Sequence, residues 1–503
     1  MTIKKLFIAN RGEIAVRAAK ACNKRGIRAV IPYSFPDSES LATRMADRNI
    51  DKGWELAVLG GTSAEETYAN SKKILEAAKL HACDAIFLGY GFLAENSSFV
   101  RMCEEAGLKV LAASSDVMGL VGNKVLAREI AKKIKIGRFA SVPVLEGTDR
   151  LQTLEETVAA AKELGFPVML KDPDTGGGTG NIVATNDIEL QQAYTTLRSK
   201  RNNTSLFLER YIANAVHVEV QIVADAHGNV VSLGERDCTM QRKSQKIIEE
   251  SPSPHISDRL RKVIQSTAVS FAKEVGYRGV GTWEFIIDID RKSRGNDPAW
   301  YFMEVNPRIQ VEHGVTEEQT GIDIVNTMID IAEGKKLPFT QEEIRSLGHT
   351  IEVRIYAEKP EEGFKQSYGR LEVLNYPSIK GVRIDKGSEQ GDEISPWYDP
   401  TICKLLAHAS TREEARRRLS MALLHLDIVG VQNNRDFLME LLNTDEFRNA
   451  KGTTAFTESW WQKQLQKKVY TIGGIVNRGT FTVHSVDKKF KPSYSCGSTV
   501  HLI

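Results

Sequence analysis

Two rhythms of apolar and polar residues run along this chain. Over residues 1–115 short apolar runs alternate with helical periodicities. Leu6–Ala9, Arg28–Tyr33, Glu55–Leu59 and Asp84–Leu88 read as strands. Glu13–Lys24 places Ile14, Ala18 and Ala21 on one helical face, with Gly26 just past its end. This βαβ order predicts a parallel sheet covered by helices. Residues 116–140 read as helical, and 141–211 as a small α+β unit with strands Pro167–Lys171 and Leu206–Glu209. Between 212 and 465 the pattern is mixed. Strands are expected at His217–Ala224, Asn229–Leu233, Gly281–Asp288 and Trp300–Asn306, and helices at 256–275, 317–333, 412–425 and 434–443. In 466–503, Ile472-Gly-Gly-Ile-Val and Thr480-Phe-Thr-Val-His predict a small β appendage. The expected fold class is therefore α/β and α+β.

One stretch breaks the usual balance of a half-buried strand. Within Phe302–His313, Glu304, Asn306, Arg308, Gln310 and Glu312 share one parity, while Met303, Val305, Ile309 and Val311 share the other. Successive side chains of an extended chain face opposite sides. Two carboxylates, amides and a guanidinium in one row are costly to bury without a ligand. Carboxylate and amide oxygens suit Mg²⁺, and arginine forks onto anions. Pro307 should end regular pairing. An amphipathic edge strand with solvated charges accounts for the same row. Glu284, in Gly281-Thr-Trp-Glu-Phe, should come opposite Glu304 through a hairpin whose turn contains Gly295-Asn-Asp-Pro298. Like charges placed opposite one another are unfavourable without a cation, which favours a metal there.

Composition narrows the function without identifying it. The chain has 503 residues, 41% apolar and 26% charged, with a net charge of +2. That gives no electrostatic case for nucleic acid or an acidic membrane surface. No apolar run is long enough to span a bilayer, and the N-terminus lacks the pattern of a signal peptide. The six cysteines are scattered with no CxxC pair, so neither zinc nor a disulfide framework is expected, and the natural compartment is the reducing cytoplasm.

Three further segments carry candidate chemistry. Glycines 176–180 follow Lys171 and could approach phosphates, although they lack a P-loop ending and read equally as a surface loop. Glu235–Glu250 is dense in charge, and its default reading is a solvated loop. His349–Glu358 alternates Glu352, Arg354 and Tyr356 on one face, as an ordinary amphipathic strand does. No GxGxxG follows the first strand, so a dinucleotide site is not indicated. Instead the turns Asn10-Arg-Gly-Glu13 and Gly89-Tyr-Gly-Phe92 lie at strand ends, where ligands of parallel sheets bind.

Taken together, Ile8-Ala-Asn-Arg-Gly-Glu-Ile-Ala-Val-Arg17, Gly89-Tyr-Gly-Phe-Leu93, Gly122-Asn-Lys124, Glu235-Arg-Asp-Cys-Thr-Met-Gln241, Gly276-Tyr-Arg-Gly279, Glu304–His313 and Tyr398-Asp399 resemble the biotin carboxylases, in order over about 1–460. The resemblance implies an ATP-grasp fold: an N-terminal parallel α/β domain (1–115), a helical linker (116–140), a mobile lid (141–211) and a larger C-terminal domain (212–465). It implies carboxylation of biotin from ATP and bicarbonate through carboxyphosphate. Lys124, Lys171 and the glycines Gly176, Gly177 and Gly178 would hold ATP phosphates, Glu209 and Arg210 would lie at the adenine edge, and His217 and Gln241 would complete that side. Glu284, Glu304 and Asn306 would hold Mg²⁺ or Mn²⁺. Lys246, Arg308, Gln310 and Val311 would cradle bicarbonate, Glu312 would be the base, and Arg354 would stabilise the biotin oxyanion.

The lid loop departs from the family pattern, reading Asp174-Thr-Gly-Gly-Gly-Thr-Gly-Asn181 in place of a longer glycine run followed by Arg-Gly-Met, and Ser244 stands where the family has histidine. None of the ten methionines precedes a lysine, so the Met-Lys-Met of a biotin carrier is missing. The implied partners are therefore a separate biotin carboxyl carrier protein and a carboxyltransferase subunit, with a homodimer or larger complex expected from the family. Other readings are an ATP-grasp ligase activating a different acid, and a non-catalytic nucleotide-binding paralogue that scaffolds a carboxylase complex.

Overall fold

The computed structural model describes residues 2–136, 140–172, 180–200, 206–293 and 297–478. Residues 1–457 form one compact unit and 458–503 a second.

The N-terminal sheet is parallel throughout, ordered Glu55–Val58, Arg28–Tyr33, Lys5–Ile8, Ala85–Phe87, Lys109–Val110. Lys5–Ile8 is buried on both faces, as the centre of such a sheet must be. Helix Gly12–Arg25 follows it and ends at Gly26, whose φ of 67° closes the C-cap. Asn10 joins the turns Asn10–Glu13 and Gly89–Phe92 by donating from Nδ2 to the carbonyls of Leu88 and Tyr90 at 2.7 and 2.8 Å. Gly89 must be glycine there: a Cβ would stand 2.9 Å from Asn10 Nδ2 on a backbone already at φ +65°.

A three-stranded antiparallel sheet, Phe207–Arg210, Val168–Lys171, Asn181–Ala184, is packed by helices Leu154–Leu164 and Asp187–Lys200. The largest sheet has eight antiparallel strands, in order Pro298–Asn306, Gly279–Lys292, Ala215–Ala224, Val230–Arg242, Gln245–Ser251, His349–Tyr356, Thr401–Ala409, Val382–Lys386. Glu284 pairs with Glu304 in register, and the edge strand Pro298–Asn306 stops immediately before Pro307.

Several expectations are corrected. Glu235–Glu250 is no solvated loop: it belongs to two largely buried strands, because its charges pair with charges on other segments, such as Glu219, Glu284, Arg261 and Arg412, instead of with water. The helical stretch 116–140 holds helices Ser115–Gly122 and Lys124–Lys133 and then a hairpin pairing Lys135–Ile136 with Ala140–Ser141. The single helix predicted at 317–333 is two, His313–Thr320 and Ile324–Ala332, broken at Gly321 with φ +74°, and Asp323 caps the second. The strand expected around Ile472 is part of helix Phe456–Arg478. Two glycines in a short alternation could not outweigh a preceding run of glutamine, lysine and leucine with high helix propensity. The second strand of the predicted β appendage, at Thr480, falls outside the described residues.

Candidate active site

Residues paired directly across strands share a face. By register that rule lines up Glu304, Glu284, Glu219 and Arg236 on four successive strands, with Glu249 beside Glu352 and Arg354 beside Lys404 and Asp385 further along the sheet. A belt of charge thus crosses the large sheet. Of these residues only Glu304 escapes burial.

At the centre lies Lys246. A two-residue hairpin turn at Lys243 and Ser244, with φ of 46° and 62°, returns the chain so that Lys246 faces back over the sheet. Its Nζ donates to Glu219 at 2.5 Å and to Glu284 and Glu312 at 2.9 Å each. Burial alone would strip its proton; the three carboxylates prevail and hold its pKa well above the ordinary lysine value. Glu312 stands at the start of helix His313–Thr320, and its other oxygen accepts from Arg354 Nη2 at 2.9 Å. Burial pushes the Glu312 carboxyl up, but Lys246, Arg354 and Arg236 hold it well below the usual carboxylate range. Glu284 is held low in the same way by Lys246 and His217.

Around this core the structure gathers most of the residues singled out from the sequence. Asn306 Nδ2 donates to Glu284 at 2.7 Å, and Gln310 Nε2 reaches the same oxygen at 3.4 Å. Arg308 leaves the strand row, pairs with Glu95 at 2.5 Å and donates to Gln310 at 2.9 Å. His217 lies 2.8 Å from Glu284 through Nε2 and 2.6 Å from Gln241 through Nδ1. The Val311 carbonyl accepts from Lys404. Lys124 opens a helix capped by Asn123, whose Oδ1 accepts from the backbone N–H groups of Val125 and Leu126, and reaches Glu304 at 3.2 Å. Lys171 pairs with Glu209, which Arg128 also meets at 2.8 Å. Arg210 stands apart and half-exposed, 3.6 Å from Glu146. Gly176, Gly177 and Gly178 lie outside the described residues.

The row read from 304 to 312 is thus two structures. Glu304 and Asn306 sit on the strand, while Arg308 to Glu312 form a loop that runs into a helix. Glu284 and Glu304 are register partners, but each already has a cation, Lys246 and Lys124 respectively. Among the described residues, His217, Glu219 and Glu284 bring ligand atoms within 4.8 Å of one another, a donor set of oxygen and nitrogen able to hold a divalent cation.

Two residues of the site escaped the sequence reading. Arg236 is fully buried and donates to Glu219 at 2.6 Å, Gln221 at 2.9 Å and Thr316 at 2.8 Å. Glu219 joins it to Lys246. Their signal was the run His217, Glu219, Gln221 alternating with Val216, Val218 and Val220, polar on every second position of a strand too apolar to be an edge.

A parallel α/β sheet, a small α+β unit and a broad antiparallel sheet carrying buried lysine, carboxylates and arginines define an ATP-grasp ligase. Family comparison makes this specific. Residues 2–118 match the biotin carboxylase N-terminal domain, 123–340 the ATP-binding domain of the carbamoyl-phosphate synthase L chain, and 352–459 the biotin carboxylase C-terminal domain. The chain belongs to the biotin carboxylase family, whose members are ATP-dependent ligases. It is 40% identical to biotin carboxylase 1 of Bacillus subtilis over 91% of this chain and 99% of that protein. It is equally 40% identical to the 2-oxoglutarate carboxylase small subunit of Hydrogenobacter thermophilus, over 90% of this chain and 93% of that one. The biotin carboxylase domain dimer of the Hydrogenobacter carboxylase, solved with MgADP, ADP and bicarbonate, superposes with a TM-score of 0.84 at 39% identity, covering 91% of this chain and 98% of that one. Among the described residues no helix is long and apolar enough to cross a membrane.

Proposed function

We propose that this chain is the biotin carboxylase subunit of an acyl-CoA or pyruvate carboxylase, working in the cytoplasm on biotin carried by a separate protein, with a carboxyltransferase on another chain and a homodimer as its own assembly. The observation that carries the reading is Glu312 held between Lys246 and Arg354, 2.9 Å from each. A carboxylate between two fixed cations suits an anion that must lose a proton. In the free enzyme those cations keep Glu312 a weak base. Bicarbonate arriving against Lys246 and Arg308 would share their charge, raise the Glu312 pKa and let it take the proton. The carbonate oxygen then attacks the γ-phosphoryl of ATP, ADP leaves, and the carboxyphosphate formed yields CO₂ and phosphate. Phosphate removes the biotin N1 proton, and Arg354 faces the ureido oxygen as charge grows on it.

Gln310 and the Val311 backbone complete the bicarbonate side. Lys124, Lys171, Glu209, Arg210, His217, Gln241 and the glycines 176–178 are the residues proposed for the nucleotide. Glu284, Glu304 and Asn306 offer hard oxygen ligands for Mg²⁺ or Mn²⁺ beside the phosphates, where a bound ion would offset their charge. With Glu284 already drawn to Lys246 and Glu304 to Lys124, these lysines must yield to the ion or turn to the phosphates.

The test is bicarbonate-dependent release of ADP, stimulated by free biotin. Glu312→Gln should lower it by about 10²–10⁴-fold while ATP still binds. Retained turnover in that variant refutes the base assignment, and nucleotide binding without any bicarbonate-dependent turnover in the unmodified chain refutes the enzyme reading in favour of a scaffold.

A further inference from the structure

One buried carboxylate has no part in the chemistry above. Glu249 is fully buried on strand Gln245–Ser251, its backbone in register with Glu352. Among the described residues its ion-pair partner is Arg354, whose Nη2 also serves Glu312 at 2.9 Å. One guanidinium nitrogen is thus shared between the proposed base and a second carboxylate behind it. The other groups facing Glu249 are Glu352 and Tyr356 on the neighbouring strand, Lys246 on its own strand and Glu219 across the belt. Lys246 is already committed to Glu219, Glu284 and Glu312; among the described residues the oxygens of both Glu249 and Glu352 make no hydrogen bond, and it is the ion pair with Arg354 that sets Glu249 apart.

We infer that Glu249 is the positioning residue of Arg354, holding its guanidinium in place during the interval in which Glu312 carries the bicarbonate proton. The inference rests on the reading of Glu312 as base. Once Glu312 is neutral, Arg354 loses half of its anchoring charge just before it must face the biotin oxygen. A buried guanidinium whose counter-charge has gone will turn to whatever acceptor remains. The Tyr356 hydroxyl is a neutral acceptor beside it; of the two remaining carboxylates, Glu249 and Glu352, Glu249 is the one paired with Arg354. The two carboxyls also act reciprocally. Burial raises Glu249 to about 7, and charge on Glu312 contributes to that rise. Protonating Glu312 therefore favours the charged form of Glu249 at the moment when Arg354 depends on it.

Crystal structures of Glu312→Gln and of the double variant Glu249→Gln/Glu312→Gln test the placement directly. Arg354 should remain on Glu249 in the first and leave its position in the second. Arg354 displaced in the first, or unmoved in the second, overturns the inference whether or not the chain turns over. Kinetics give the second arm. Glu249→Gln should lower the kcat of biotin-stimulated turnover by about tenfold, with the KM for ATP moving less than about twofold. Added to Arg354→Gln, it should cause no further loss, and Glu249→Asp should recover part of the rate. A loss in the pair equal to the product of the single losses, or no loss in Glu249→Gln, also overturns it. Failure of the functional reading looks different: the unmodified chain then shows no bicarbonate-dependent turnover, while the crystallographic comparison still decides whether Glu249 holds Arg354.

Discussion

His217, Glu219 and Gln221 leave one face of strand Ala215–Ala224 for charged and polar partners, whereas Val216, Val218 and Val220 leave the other for an apolar cluster with Trp283, Phe285, Phe302 and Phe271. All six strand side chains are buried. The apolar face is held by rings in edge or tilted contact, Phe271 to Phe302 at 5.2 Å and Tyr277 to Trp283 at 5.0 Å between centroids. Such packing is local: each side chain matters through its own volume. The polar face is held by partners that each serve two or three others, so removing one leaves several unsatisfied in a dry site. Equal burial therefore conceals two different vulnerabilities, and the face that is costlier to maintain is the one that meets the proposed substrates.

The largest effect should come from breaking the polar face at its most connected member. Arg236→Met keeps much of the volume but takes donors from Glu219, Gln221 and Thr316 together. Lys246 still reaches one Glu219 oxygen. The expected cost is about 3–5 kcal/mol, read from urea unfolding, with turnover lost as well. A cost below about 1 kcal/mol would mean that the belt is solvated in solution and that the comparison between faces fails.

How much of this was legible in the chain differs between the same two faces. Alternation exposed the Glu304–Glu312 row and the facing of Glu284 on Glu304, because pairing through a hairpin is a local property. It could not show that the row changes from strand to loop after Asn306, or that Lys246 and Arg354 close over Glu312, since those contacts join segments up to 66 residues apart. The segment 235–250 hides its burial for a related reason. Its charge density looks solvated until Glu219 and Glu284 from other strands, and Arg412 and His349 behind, are brought against it. Arg236 and Glu219 carry no signal of their own, because each alone looks like the polar half of an ordinary strand. The family motifs supplied what periodicity could not, but they are least informative where the chain departs from them, at 174–181.

A second test uses pH to separate the faces. Asp237 lies on the opposite parity from Arg236, where it meets Ser253 at 2.6 Å and His255 at 2.8 Å. Burial would raise its carboxyl, but His255, Ser253 and Thr239 prevail and lower it to about 2 from 3.8. A depressed carboxyl stabilises the fold above its unfolded value, and that stability is lost as pH falls from 3.8 towards 2. Glu249 has the opposite sign. Burial lifts it to about 7 from 4.5, so its contribution is complete below 4.5 and is lost as pH rises through 7. Unfolding midpoints measured across this range should show Asp237→Asn flattening the acid limb by about 2 kcal/mol. Glu249→Gln should flatten the decline towards neutral pH. Both variants acting on the same limb would contradict the assignment of opposite environments.

The smallest effect should come from the apolar face. Ile222→Val removes one methylene from a side chain that is fully buried in the cluster with Trp283 and Phe285. It should cost about 0.5–1.5 kcal/mol, because the neighbours lose dispersion contacts but no partner is left uncompensated. Turnover should stay unchanged, since Ile222 lies on the face opposite Glu219 and packs in the apolar cluster. A strong loss of turnover at this modest cost in stability would show that the apolar packing sets the spacing of Glu219 and Glu284 across the strand. The two faces would then be one mechanical unit, and the functional precision of the charged belt would depend on the fit of the rings beneath it.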